Sequence, residues 1–202
     1  MEFLLPVVLF AISSSVTPGP NNIMVMTSAL NFGVRKTLPL LTGICIGFTL
    51  MLLMVGLGFS QLFVLFPQLS LIIKIIGVGY LLYLAWLIAM AKSVGVNDQQ
   101  AKPFGFMKGA LFQWVNAKAW VVAIGAISAF TTAGDDFLAQ NLLLAMTFFI
   151  ASIPCVGVWL LCGSILRKFM NNPVYLRGFN ITMAVLLAGS IMPVVLDIWA
   201  QL

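Results

Sequence analysis

A run of helix-breaking and polar residues interrupts the first apolar stretch of the chain, which extends from about residue 3 to residue 30. The run reads Thr17-Pro18-Gly19-Pro20-Asn21-Asn22. A proline lacks a backbone N–H and crowds the carbonyl four residues before it, so two prolines this close together cannot continue a helix. Pro18 and Pro20 should therefore free the carbonyls of Ser14 and Val16. In hydrocarbon such carbonyls persist only against protein or a water-filled cavity, so a broken span indicates a transport site.

The two sides of this break are expected to match the two charges of an amino-acid zwitterion. Thr17 suits an N-cap and Pro18 suits a first helical position, so we expect one half-helix to end near Val16 and the next to begin at Pro18. The N-terminus of the second half-helix carries roughly half a positive charge and favours an anion. The freed carbonyls favour an ammonium, a cation or a water. The alternative is a proline kink whose freed groups are satisfied by the serines at 13–15 and by neighbouring helices.

Lys118 places a positive charge deep inside the fourth predicted span. It lies about ten residues from the start of that span, which corresponds to about 15 Å, half the hydrocarbon thickness. A charge at that depth is costly and indicates a functional site by default. The five acidic residues all fall in loops or near the termini. Lys118 is therefore expected to bind a substrate carboxylate or to lose and regain a proton, the alternative being a structural lysine held by the freed carbonyls.

Four side-chain amides fall at the same depth as the break and the lysine. Buried amides must be hydrogen-bonded, so they either line a substrate cavity or tie the first span to the fourth. No metal or cofactor is predicted, because the chain has no histidine and its three cysteines lack a metal-binding spacing. The cysteines are interpreted as small buried apolar residues. The predicted substrate-binding residues are Ser14, Thr17, Pro18, Gly19, Pro20, Asn21, Asn22, Gln113, Asn116 and Lys118.

The composition places these residues in a membrane protein. Of 202 residues, 62% are hydrophobic and 7% are charged, whereas a soluble domain carries about 25% charged residues. Crossing a bilayer takes about 20 apolar residues. The sequence predicts six spans, at about 3–31, 38–60, 69–91, 107–131, 138–166 and 176–200.

The net charge of +5 does not indicate nucleic-acid binding, because the basic residues follow the pattern of membrane topology. Eight of the ten fall in three of the predicted connections, and basic connections stay in the cytoplasm. This pattern predicts that both termini lie outside, in the periplasm. The eight residues are Arg35, Lys36, Lys92, Lys102, Lys108, Arg167, Lys168 and Arg177.

The predicted organisation is one all-α transmembrane domain over residues 1–202, built from two inverted three-helix repeats. A polar, basic and cytoplasmic linker at 92–108 separates a first repeat at 1–91 from a second at 109–202. The motif at 17–20 has a counterpart in the second half at 116–119, and tandem three-span units must be inverted, as in many transporters. Helix 1 is expected to be broken at mid-membrane. The sequence leaves the oligomeric state open, a homodimer included.

Three motifs resemble the lysine exporter family of amino-acid translocators, also known for homoserine and threonine resistance. They are Thr17-Pro18-Gly19-Pro20-Asn21, the segment Gly77-Val78-Gly79-Tyr80-Leu81-Leu82-Tyr83-Leu84, and Asn116-Ala117-Lys118-Ala119. The resemblance implies a bacterial inner-membrane exporter of amino acids driven by an ion gradient, with its site at the matching residues Pro18, Pro20, Asn21, Asn116 and Lys118. Family members commonly have proline where this chain has Ala117, so nothing covalent forces helix 4 to break.

The leading prediction is therefore a secondary transporter that exports a small amino acid or derivative, bound at mid-membrane between the helix 1 break and helix 4. Coupling to protons is expected, and alternation is expected to come from rocking one three-helix half against the other. Two alternatives remain at this point. One is a membrane structural or assembly factor without transport activity, and the other is an enzyme that pairs Lys118 with a serine among residues 13–15.

Overall fold

The protein is all-helical over the part of the chain that the computed structural model describes, which is residues 4–59, 65, 67–90, 102–132, 134–169 and 172–201. Most of the predicted linker at 92–108 lies outside the described residues. The helices are α1 Leu4–Val16, α2 Pro20–Phe32, α3 Val34–Met54, α4 Pro67–Ala89, α5 Phe106–Phe112, α6 Ala117–Phe130, α7 Phe137–Phe169, α8 Pro173–Gly189 and α9 Met192–Gln201. A π-helical turn, Val55–Phe59, extends α3, and a 3₁₀ turn, Gln113–Val115, follows α5.

Four helical segments of the described chain are long and apolar enough to cross a membrane: Val34–Gly58, Leu71–Ala89, Phe137–Phe169 and Pro173–Leu196. A fifth is added if the bent pair Phe106–Val115 and Ala117–Phe130 is counted as one span. The remaining one of the six predicted spans is the first in the chain. It corresponds to two short helices, α1 and α2, of 13 residues each. The structure therefore supports an all-helical protein with four or five membrane spans by length and composition.

The helix boundary near the first proline pair differs from the prediction by two residues. α1 ends at Val16 as expected, but α2 begins at Pro20, with Gly19 as its N-cap. Thr17 is not an N-cap, because both its amide and its hydroxyl donate backward to the Ser13 carbonyl. The threonine thus extends the last turn of α1, and the glycine takes the extended conformation, with φ −178° and ψ 179°.

The chain also breaks between α5 and α6, although no proline is present there. The two helices are bent by 69°. Asn116 lies between them in extended conformation, with φ −88° and ψ 103°, and α6 begins at Ala117. The indole Nε1 of Trp120 donates to the Trp114 carbonyl at 2.9 Å, which satisfies one backbone group released by the break. Side chains therefore stabilise this break where a covalent constraint is missing.

α2 is the most deeply buried helix of the described fold, since every residue from Asn22 to Asn31 is buried. It packs chiefly against α7, while α3 packs against α5 and α7, and α4 against α8. Glycines allow the closest of these contacts. A Cβ at Gly47 of α3 would lie 2.6 Å from the Cα of Ala110 on α5, so only glycine fits. Small residues thus let the backbones of α3 and α5 approach closely, as they commonly do in membrane helices.

Candidate functional site

A cavity lies between the two helix breaks and is closed by α3 and α7. It offers about 60 Å³ to the centres of water-sized molecules. Because one water needs about 10–15 Å³ of such volume, the cavity holds on the order of four to six waters, which suits a small solute. It is lined by Ser14, Ser15, Gly19, Pro20, Asn21, Asn22, Ile44, Cys45, Phe48, Asn116, Lys118, Ala119, Val122, Phe148, Ser152 and Val156.

Carbonyls released at the α1–α2 break are bonded by side chains from three helices. The Asn22 Nδ2 of α2 donates to the carbonyls of Ser15 and Thr17, at 2.9 and 3.0 Å. The Trp159 indole of α7 donates to the Val16 carbonyl at 3.0 Å. These bonds hold the interrupted backbone in one shape, since an unpaired buried carbonyl is costly.

Lys118 reaches from α6 to the break in the first helix pair. Its Nζ donates to the Thr17 carbonyl at 2.9 Å, and its aliphatic chain lies against Gly19. It is half-buried, and it is the one charged residue among the described residues that line the cavity. A lysine held by a neutral carbonyl keeps an uncompensated positive charge, which a carboxylate entering the cavity would pair with.

Two helix N-termini border the same cavity. Gly19 is the N-cap of α2 and Asn116 is the N-cap of α6, and neither residue makes a side-chain capping bond. The first backbone N–H groups of a helix lack partners within the helix, and its N-terminus carries a partial positive charge. Together with the lysine, these two helix ends make the polar wall of the cavity favourable to an anion.

Asn22 contributes an acceptor that has no donor. Its side chain is only 3% exposed, and its Oδ1 is buried without a hydrogen-bond partner. The orientation of the amide is fixed, because its Nδ2 makes the two bonds to the break. A buried amide oxygen without a partner is uncommon and calls for a donor. An ammonium group beside Asn22 would supply one.

The structure brings seven of the ten predicted site residues to the cavity: Ser14, Gly19, Pro20, Asn21, Asn22, Asn116 and Lys118. Thr17 and Pro18 are exposed outside its lining, although the Thr17 carbonyl binds the lysine. Gln113 is fully buried and outside the lining as well. It exchanges two hydrogen bonds with Asn21, at 2.9 and 3.0 Å, and so ties α2 to the end of α5.

Sequence reasoning missed the wall that α3 and α7 supply. Cys45 was interpreted only as a buried apolar residue, yet it lines the cavity together with Phe48 of α3 and Phe148 and Ser152 of α7. These residues lie in apolar spans, and no local motif distinguishes them from packing residues. A polar serine close to a helix-interior proline, as Ser152 is two residues before Pro154, is the one signal that could have indicated them.

Comparison with known proteins decides the class. A family model described as LysE type translocator matches residues 12–191. The chain belongs to this family. The LysE family resemblance seen in the motifs is thereby confirmed, and the protein is a multi-pass membrane transporter rather than an enzyme.

Two relatives within the family are similar over most of their length. The cysteine/O-acetylserine efflux protein of Salmonella typhimurium strain LT2 is 33% identical over 181 residues, and that of Escherichia coli strain K12 is 33% identical over 183 residues. In both cases 88% of this chain and 90% of the relative are covered. No solved structure matches the chain.

Proposed function

We propose that this LysE family member exports a small amino acid or derivative across the bacterial inner membrane. The single observation that carries the proposal is the cavity in which Lys118 faces the α1–α2 break with no carboxylate among its described lining residues. Membership of a translocator family and the efflux function named for the two relatives support it.

The proposed binding mode uses both the positively charged groups of the cavity and its hydrogen-bond acceptors. The substrate carboxylate pairs with the Lys118 ammonium and the N-terminal amides of α2 and α6, since charge-assisted hydrogen bonds are the strong ones. The substrate ammonium donates to carbonyls at the break, and a small displacement of the Asn22 side chain brings its Oδ1, which lacks a donor, within reach. Binding then replaces the Lys118 bond to the Thr17 carbonyl with an ion pair.

We further propose six membrane spans, with α1 and α2 together forming the first, interrupted at mid-depth. The buried polar groups at the break support this, because they lie across from Lys118 in the α5–α6 span. Inverted three-helix repeats and periplasmic termini follow from the motif spacing and from the basic connections. Periplasm-specific reporters fused at residues 1 and 202 test the orientation, and activity of only one of the two fusions would refute it.

We propose that Lys118 also couples transport to protons. Lys118 is the titratable cation that contacts the cavity among the described residues, and a group that binds substrate while charged can release it on losing a proton. In proteoliposomes, an imposed pH gradient should drive uphill uptake of labelled amino acid. Equal accumulation with and without the gradient would exclude proton coupling while leaving the transport proposal intact.

Replacing Lys118 by methionine should abolish transport while the protein remains folded in the membrane. The substitution keeps the length and apolar stem of the side chain but removes the charge that pairs with the carboxylate. Counter-flow of labelled amino acids in proteoliposomes gives the rate, and thermal unfolding in detergent gives the stability. A loss of more than about 100-fold is expected from removal of a charged hydrogen bond of about 3 kcal/mol.

Lys36→Met provides the matched control, because Lys36 is exposed in the first turn of α3 and lies outside the cavity lining. It should keep wild-type counter-flow. Undiminished transport by Lys118→Met would remove the lysine from the mechanism. Absence of flux for every tested amino acid in the wild-type protein would instead favour the structural or assembly role.

A further inference from the structure

The cavity has a second wall that the proposed zwitterion contacts leave unused. α3 contributes Cys45 and Phe48 to it, and α7 contributes Phe148 and Ser152. The two aromatic rings lie 5.4 Å apart, centroid to centroid, so they close the cavity on this side. A substrate whose ammonium and carboxylate lie at the helix breaks must place its side chain against this wall.

The charge of the lining restricts what that side chain can be. Lys118 is the one charged residue in the described lining, and no carboxylate borders the cavity there. A cationic side chain would be repelled by the lysine and would lose its hydration without gaining a partner, which is strongly unfavourable. An anionic side chain would leave its charge beside two phenyl rings, away from the lysine that its α-carboxylate occupies.

The wall nevertheless carries two polar groups among its apolar neighbours. Cys45 is 1% exposed and Ser152 is 6% exposed, and both residues line the cavity. The Ser152 hydroxyl donates to the Phe149 carbonyl at 3.0 Å within its own helix. Because that bond uses its one proton, its oxygen can still accept a hydrogen bond.

We propose that Cys45 and Ser152 determine which amino acid is exported, by binding a short neutral side chain that ends in a hydroxyl, a thiol or another small polar group. This inference rests on the proposed function, since it assumes that the zwitterion occupies the helix breaks. The Ser152 oxygen accepts from the substrate, the Cys45 thiol packs against its tip, and Phe48 and Phe148 limit its length. Lysine and arginine are excluded as substrates.

The test compares substrates of equal size that differ in one polar atom. Counter-flow in proteoliposomes is measured for L-serine, L-cysteine, L-alanine and L-lysine, with the wild-type protein and with Ser152→Ala and Cys45→Ala separately. The wild type should prefer serine to alanine and should not transport lysine. Ser152→Ala should lower the serine-to-alanine ratio by about 2- to 12-fold, the effect of one neutral hydrogen bond, with alanine transport retained.

Thr147→Val is the matched control, because Thr147 precedes the cavity wall on α7, and its hydroxyl bonds only the Leu143 carbonyl among the contacts described. It should leave the ratio unchanged. Transport of serine with an unaltered ratio in both alanine variants, or transport of lysine by the wild type, would overturn this inference and leave the proposed function standing. Failure of the wild type to move any of the four amino acids would overturn both.

Discussion

The contact between Gly19 and Lys118 is the most restrictive feature of the site at the scale of single residues. A Cβ built on Gly19 would lie 3.2 Å from both the Cδ and the Nζ of Lys118. The glycine has an extended backbone that any residue can adopt. Its smallness, rather than its conformational freedom, is therefore what allows the ammonium to reach the break.

Gly19→Ala should accordingly weaken substrate binding without unfolding the protein. The added methyl group meets the flexible end of a lysine, which can move, but the move takes Nζ away from the α2 N-terminus, where the substrate carboxylate is proposed to bind. An increase in the counter-flow KM of about tenfold is expected, equivalent to about 1.4 kcal/mol, with the melting temperature nearly unchanged.

Gly178→Ala is the comparison variant, since a Cβ at Gly178 of α8 meets nothing within 4 Å. Its KM should equal that of the wild type. A wild-type KM for Gly19→Ala would mean that the observed position of Lys118 is not the one that binds substrate.

At the scale of the helices, one of the two breaks could be predicted from the sequence and the other could not. Two prolines indicated the α1–α2 break directly, and seven of ten predicted site residues line the cavity. The α5–α6 break carries no such signal, because Ala117 replaces the proline common in the family. Its cause is partly local, since Trp120 bonds the Trp114 carbonyl six residues before it, and partly tertiary, since Gln113 bonds Asn21 of α2. Such partners become visible only once the helices are assembled.

Restoring the family's proline with Ala117→Pro should be tolerated. Ala117 is the first residue of α6, where proline suits the backbone, and Asn116 before it is already extended, as a residue before proline must be. Unfolding in detergent should show unchanged stability or a gain of about 0.4–1 kcal/mol, with counter-flow retained.

Ala123→Pro is the contrasting variant, because Ala123 is fully buried in the interior of α6. A proline there removes a helical hydrogen bond and costs about 3 kcal/mol or more. An equally large loss of unfolding free energy in Ala117→Pro would show that the backbone at Asn116 is not preformed for a break.

At the scale of the whole molecule, the sequence located the long helices within a few residues. α4 was predicted at 69–91 and observed at Pro67–Ala89, and α7 was predicted at 138–166 and observed at Phe137–Phe169. Apolar length alone suffices for this. The sequence could not predict which substrate side chain is selected, because Cys45 and Ser152 come to line one cavity only through the packing of α3 on α7.

The packing also bears on how alternation can occur. The main helix contacts in the described chain join the two predicted halves, with α2 on α7, α3 on α5 and α4 on α8. Rocking one half as a rigid body against the other would break all of these contacts at once. The rocking expected from the sequence therefore requires these interfaces to slide or repack, and it stays a prediction.

The central claim is that Lys118 holds the carboxylate of the transported amino acid at the helix breaks. Solid-state NMR dephasing between the ¹³C-carboxylate of bound L-serine and lysine ¹⁵Nζ, in reconstituted protein, measures that contact. The account predicts a nitrogen-to-carbon distance of about 3.5 Å, from an N–H···O contact of about 2.8 Å, with the dephasing retained in Lys36→Met. Bound serine whose carboxylate shows no dephasing from any lysine nitrogen would contradict it.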